Sequence, residues 1–316
     1  MNTKNTRPSR VAEILRNVFW IAAFSMGMVE GQTWDNGGGG SDWSTDGNWS
    51  PNVAPANDGT ADVTFASGTI FNSSTSTVDQ PWNIATLTLT GVISAHTFNG
   101  SPLTIQSGVT HNGFYSGATF NNALVLPNQT TWNTTSGTVI RVGGAISGAG
   151  GVTKSGVGSL TLSSGNTYQG STNLANGTLI FGGDDVLGDA TTLNLTGGTL
   201  ETNGYGDTIS MLNLNGNVTI DMAGGDSEFS AGTAVYASGQ LTVRNYTRGR
   251  DAIAFGTKPS QDFLNQVFWA DQGVQGAGYT GSEIVPVPEP TTILGGGLLV
   301  LCAGIGAWRK RRSALR

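Results

Sequence analysis

The sequence predicts an all-β chain built as a parallel β-helix, a solenoid of short strands. Three observations carry that expectation. Apolar residues fall at every second position in the runs 85–90, 159–162, 178–181, 192–195, 211–214 and 241–243, the alternation of strands with one buried face. Pairs such as Ser164-Gly165, Asn176-Gly177, Gly182-Gly183, Gly197-Gly198 and Asn215-Gly216 punctuate these runs and supply the positive φ that tight turns need. Apolar pairs recur at Leu160/Leu162, Leu179/Phe181, Leu195/Leu200 and Leu212/Leu214, a spacing of about twenty residues, as in stacked rungs that bury one another's faces. An antiparallel β-sandwich shares the short strands and turns and is the alternative architecture.

Composition narrows the function classes. Glycine contributes 48 of 316 residues and charged residues only 11%, which excludes helical bundles and coiled coils. The glycines have no period of three, so the chain is not collagen-like. The 37% of hydrophobic residues can form a core. Residues 32–290 hold six basic and nineteen acidic side chains, a net charge of −13. So acidic a body repels phosphates, and nucleic acid is excluded as a partner. The single cysteine, Cys302, lies in a C-terminal apolar run, so residues 32–290 have no disulfide and no thiolate metal site.

Both ends read as targeting segments. Lys4, Arg7, Arg10 and Arg16 precede an apolar run over 18–24, followed by Val29-Glu30-Gly31, the order of a secretory signal peptide over residues 1–31. Near the other end, the eighteen residues Thr291 to Trp308 are apolar, and Arg309-Lys310-Arg311-Arg312 follow. As a helix they span about 27 Å, close to the ~30 Å hydrocarbon core. A transmembrane helix over 291–308 is expected, with its basic cluster cytoplasmic and the body, 32–284, exported. Residues 285–290, Val-Pro-Val-Pro-Glu-Pro, form a stiff extended spacer. Together, Pro288-Glu289-Pro290, the Gly- and Leu-rich run and the terminal arginines resemble the PEP-CTERM sorting signal of Gram-negative bacteria. The resemblance covers about 285–313. It implies that an exosortase-type processing enzyme reads Pro288, Glu289 and Pro290 with Arg309, Arg311 and Arg312. It also implies that residues 291–308 hold the protein in the membrane transiently. The enzyme would remove the tail and pass the body to the cell surface or an exopolysaccharide matrix.

Within the body, 148–181 carries Gly148-Ala149-Gly150-Gly151-Val152-Thr153-Lys154, then Ser159-Leu160-Thr161-Leu162, Asn166-Thr167-Tyr168-Gln169-Gly170 and Asn176-Gly177-Thr178-Leu179. This stretch resembles the autotransporter-associated β-strand repeat of parallel β-helix passengers. The resemblance implies glycine corners, a turn at Tyr168 and Gly170, and inward-pointing Leu160, Leu162 and Leu179. Upstream, Trp43 through Ser50 and Asp58 through Phe65 resemble the opening segment of such solenoids, in which Trp43 and Trp49 either cap the first rung or stack on sugars. Residues 241–257 look like a closing segment. Residues 259–276, with Phe263-Leu264 and Val267-Phe268-Trp269, are expected to form a short helix and a strand that cap the other end.

Catalytic signals are sparse. His96 and His111 have no metal-ligand partner at a usable spacing, and no Gly-x-Ser-x-Gly elbow is present. Gly37 to Gly40 are not followed by a helical pattern, so they form no phosphate loop. The remaining cluster is Asp184, Asp185 and Asp189, either a Ca²⁺ ligand set or a solvated acidic turn. Arg244, Arg248 and Arg250 are the candidate bases if those acids serve a polysaccharide lyase. The expectation is a non-enzymatic exported surface or matrix protein associated with exopolysaccharide, without catalytic residues, resident metal or cofactor. The alternative is a polysaccharide-binding or polysaccharide-degrading β-helix enzyme.

Overall fold

Strands one coil apart in sequence lie side by side and run parallel. The computed structural model describes residues 31–66, 74–91, 95–113, 117–188 and 190–287. Among these, the chain alternates between a 14-stranded and an 11-stranded sheet. The first runs from Asp62–Ala66 through Trp82–Thr90, Leu103–His111, Thr130–Thr134 and Val152–Ser155 to Ala252–Phe255. The second runs from Thr75–Val78 through His96–Gly100, Gly117–Phe120 and Val139–Val142 to Val267–Trp269. The long strand Leu103–His111 serves two branches. Its start pairs with Leu124–Val125 and its end with Thr130–Thr134, and Leu124–Val125 pairs onward with Ile146–Ser147, so the first sheet bends into two faces over these coils.

The architecture is therefore the parallel solenoid, and the sandwich is excluded. Among the described residues, antiparallel pairing occurs only near the ends: Gln32–Trp34 with Trp49–Ser50, Val267–Trp269 with Val274–Gln275, Ala277–Tyr279 with Ile284–Pro286, and a single bridge between Ala254 and Glu283. The repeat spacing needs one correction. Leu160, Leu179, Leu200 and Ile220 form one column, with steps of 19, 21 and 20 residues. Leu174, Leu195 and Leu214 form another, in the opposite sheet. Leu195 and Leu200, paired by spacing alone, thus belong to different sheets. Each coil carries an inward strand in both sheets, so one period contains two apolar clusters.

In-register stacking makes the core a set of side-chain columns rather than a single centre. Phe98 stacks face to face on Phe120, with centroids 4.6 Å apart and planes 12° from parallel. Leu160, Leu162 and Leu179 are fully buried, as the repeat implied, and Phe181 is buried with them. The corners are closed by glycine. A Cβ at Gly150 would fall on the Asn128 carbonyl of the coil before it, and Gly170 packs against Gly150 in the same way. Gly177 adopts φ +70°, a conformation that L side chains rarely take.

Both ends of the stack are closed. Trp43 and Trp49 are 0% exposed and meet edge to face at 5.4 Å, and Trp34 lies edge-on to Trp49 at 4.9 Å. Trp49 Nε1 donates to the Trp43 carbonyl (2.7 Å). The rings cap the first coil and have no free face for a sugar, which removes the stacking alternative. At the other end stands the expected short helix, Gln261–Asn265, with Ser260 accepting from Phe263 N (3.2 Å). Phe263 and Leu264 are buried, and Phe263 meets Phe255 at 5.6 Å. The signal segment to residue 30 and the expected membrane helix 291–308 lie outside the described residues. Among the described residues no helix is long and apolar enough to cross a membrane.

Column packing predicts that truncating one inward side chain is felt across the coils on either side. Leu179→Ala is expected to cost about 2–5 kcal/mol, read as a lowered midpoint in urea unfolding.

Candidate functional site

The acidic turn is the first place to look for chemistry. Asp184 Oδ1 accepts from Gly206 N (2.8 Å), and Asp185 N donates to the Gly206 carbonyl (3.0 Å). These bonds tie the turn to the next coil. Asp185 takes φ +53°. Asp189 lies outside the described residues, and among those described no three His, Cys, Asp or Glu side chains gather to hold a metal. The candidate bases stand elsewhere. Arg250 forms an exposed ion pair with Asp226 at 3.0 Å. Arg244 pairs in register with Asp221, and Arg248 is exposed. The structure does not assemble the acids and the arginines into one site. Pro288, Glu289, Pro290, Arg309, Arg311 and Arg312 lie outside the described residues.

Both histidines are buried. His111 Nδ1 accepts from Gly113 N (3.3 Å), and burial lowers its pKa. His96 sits between Phe65 and Phe98, each 4.7 Å away, with Nε2 3.0 Å from Ser76 Oγ. That hydroxyl also accepts from Trp43 Nε1 (3.1 Å), which links the histidine to the cap. Desolvation drives the His96 pKa down to about 4, so the ring is neutral in the folded protein at ordinary pH.

Sequence reasoning passed over one buried cation. Lys154 is fully buried in an inward column, between Trp132 and Leu174. Its Nζ donates to the carbonyls of Ser155 (2.7 Å), Gly156 (2.7 Å) and Asn176 (3.2 Å). The ammonium thus ties two stacked turns together, and burial lowers its pKa to about 8. The signal was available: in Val152-Thr153-Lys154 the alternation that buries Val152 also points Lys154 inward.

The outer faces carry ladders of neutral polar groups. Thr64, Thr88 and Thr110 stack on the first sheet, and Thr75, Thr97 and Thr119 on the second. Amides link coil to coil. Gln106 Nε2 donates to Asn83 Oδ1 (2.9 Å), Asn128 Nδ2 to Gln106 Oε1 (3.0 Å) and Asn121 Nδ2 to Asn99 Oδ1 (2.8 Å). A longer ladder climbs from Thr153, whose Oγ1 accepts from Asn173 Nδ2 (3.0 Å). Asn194 Nδ2 then donates to Asn173 Oδ1 (2.6 Å), and Asn213 Nδ2 to Asn194 Oδ1 (2.8 Å). Coils ~4.8 Å apart therefore repeat hydroxyl and amide groups along the rod. Such a surface can hydrogen-bond an uncharged polymer; on the second sheet it is interrupted by the in-register charged residues Glu201, Asp221 and Arg244.

Two pH windows test the buried groups. Between pH 6.5 and 4 the unfolded chain protonates His96 while the folded protein does not, so stability falls as pH drops through that range. His96→Gln should reduce the slope, measured as urea midpoints at pH 7.5 and 4.5. For Lys154 the unfolded chain keeps a proton that the folded protein sheds above pH 8. Stability should rise from pH 8 to 9.5, and Lys154→Met should flatten the rise.

Comparison with known proteins adds one match. Residues 152–181 match the family described as Passenger-associated-transport-repeat. The matched stretch contains the strands Val152–Ser155, Ser159–Leu162, Thr172–Leu174 and Thr178–Phe181, hence the Lys154 turn and the Leu160–Leu179 step. Neither the curated proteins nor the solved structures include a match to the chain. Over those residues the chain is similar to the repeat of transported passengers, and repeat and solenoid together fit an exported, cell-surface protein.

Proposed function

We propose that this protein is a non-enzymatic rod sorted to the cell surface or extracellular matrix, where it associates with exopolysaccharide. The observation that carries this reading is the neutral ladder system, repeated coil after coil on a solenoid with a passenger-type repeat. A net charge of −13 over 32–290 favours an uncharged polymer over an anionic one. The sorting step rests on the sequence of the tail. Pro288, Glu289 and Pro290 present the recognition motif to an exosortase-type enzyme, 291–308 holds the precursor in the membrane, and Arg309, Arg311 and Arg312 fix its orientation.

Fractionation of the producing cells, with mass spectrometry of the C-terminal peptide, tests the proposal. The expected product is a surface or matrix form that ends near Pro290 and lacks 291–316. A full-length form confined to the inner membrane would overturn the sorting step. The purified protein should release no reducing or unsaturated ends from neutral or acidic polysaccharides. Release that disappears in Asp184→Ala would establish the degrading enzyme instead.

A further inference from the structure

The longest amide ladder stops in an unfinished state. Asn213 donates through Nδ2 to Asn194, so its Oδ1 should accept from the coil above. The in-register residue there is Val235, which has no donor. Asn213 Oδ1 is buried and without a partner. Val235 is itself 46% exposed, because the next strand, Ala252–Phe255, pairs only with residues 228–231 of Glu228–Ser238. At the same place the register slips. Leu214 pairs with Tyr236 but Asn215 with Ser238, leaving Ala237 as the extra residue of a bulge, a feature that re-aims side chains and is frequent beside binding sites. The result is a groove of about 310 Å³ lined by Asn194, Thr196, Asn213, Asn215, Val235 and Ala237 among others.

We infer that this groove seats one residue of a neutral polysaccharide, a hydroxyl of which enters between Asn213 and Val235 and donates to Asn213 Oδ1. The lining contains no charged side chain, so a carboxylated or sulfated sugar finds no counter-ion there. Thr196 and Asn215 add hydroxyl and amide groups at the rim, while Val235 and Ala237 offer apolar surface to the C–H face of a sugar ring. No aromatic ring lines the groove, so a single site binds weakly. Val235, being half exposed, has room to turn and admit the hydroxyl. This inference rests on the exopolysaccharide reading and gives it a location.

The ladder itself provides the decisive variant. Val235→Asn places an amide donor where the next rung belongs, completes the ladder and closes the acceptor without removing any core group. The probes are maltohexaose and cellohexaose as neutral ligands and a mannuronate hexamer as the anionic control. Each is titrated into the full chain in a sugar-free detergent, followed by calorimetry and by the Asn213 side-chain amide signal in NMR. The expected result is saturable binding of at least one neutral hexamer, an Asn213 shift, and affinity at least tenfold lower in Val235→Asn, with Tm unchanged or raised. Asn213→Leu should lose binding as well. Equal binding by wild type and Val235→Asn, no saturable neutral binding, or equal affinity for the mannuronate hexamer would overturn the groove assignment. Recovery of each variant in the matrix fraction separates the two readings. Equal hexamer affinity of wild type and Val235→Asn, with both retained in the matrix, would remove the groove and leave the matrix role standing. Wild type missing from the matrix would remove the matrix role itself.

Discussion

Every part of the molecule depends on parallel strands stacked in register. A residue in one coil faces its counterpart in the next at ~4.8 Å, on the inside as on the outside. Inside, this turns Leu160, Leu179, Leu200 and Ile220 into one continuous apolar column. Outside, it turns Asn173, Asn194 and Asn213 into a chain of amide hydrogen bonds. One constraint thus shapes the core and the surface, and a change at any position is read by two neighbours rather than by a diffuse environment.

The same constraint explains where polar groups are allowed inside. Lys154 occupies a core position because its own turn and the turn of the next coil both offer carbonyls to its ammonium. Asn166 does similar service at a corner, accepting from Ile146 N (2.6 Å) and donating to the Val186 carbonyl. Asp251 accepts from Ser227 N (3.0 Å) and Thr247 N (2.6 Å). Each satisfies backbone groups that the tight corners leave without a strand partner, so that burial of a polar side chain is offset by the bonds it completes.

The fold was legible from local pattern. Period-two alternation and glycine punctuation identified strands and turns, and the spacing near twenty identified coils, although it merged two sheets into one series. The ends were legible too, because Trp43, Trp49, Phe263 and Leu264 are too large and apolar for turns unless they close a core. The candidate site was less so. Asp184 and Asp185 stood out because acidic pairs resemble ligand sets, yet Asp184 Oδ1 serves a backbone N–H of the following coil. The ladders were hidden because Thr and Asn look like ordinary surface until register places them together. Register between parallel strands 19 to 31 residues apart depends on turn lengths that vary from coil to coil, and no single strand encodes it.

The capped ends have a consequence for the life of the protein among copies of itself. A stack of parallel strands ends in unpaired backbone donors and acceptors, the same template that lets cross-β fibrils grow. Here Gln32–Trp34 is met antiparallel by Trp49–Ser50, and Val267–Trp269 by Val274–Gln275, so one terminal strand of each sheet is turned back on its own chain, while Thr75–Val78 and Ala252–Phe255 are covered by single bridges to Asp42 and Glu283. A solenoid crowded at a cell surface could otherwise lengthen by end-to-end addition into an insoluble fibre. The tryptophan-bearing pair and the Val267–Gln275 pair each take one sheet edge out of reach of such growth.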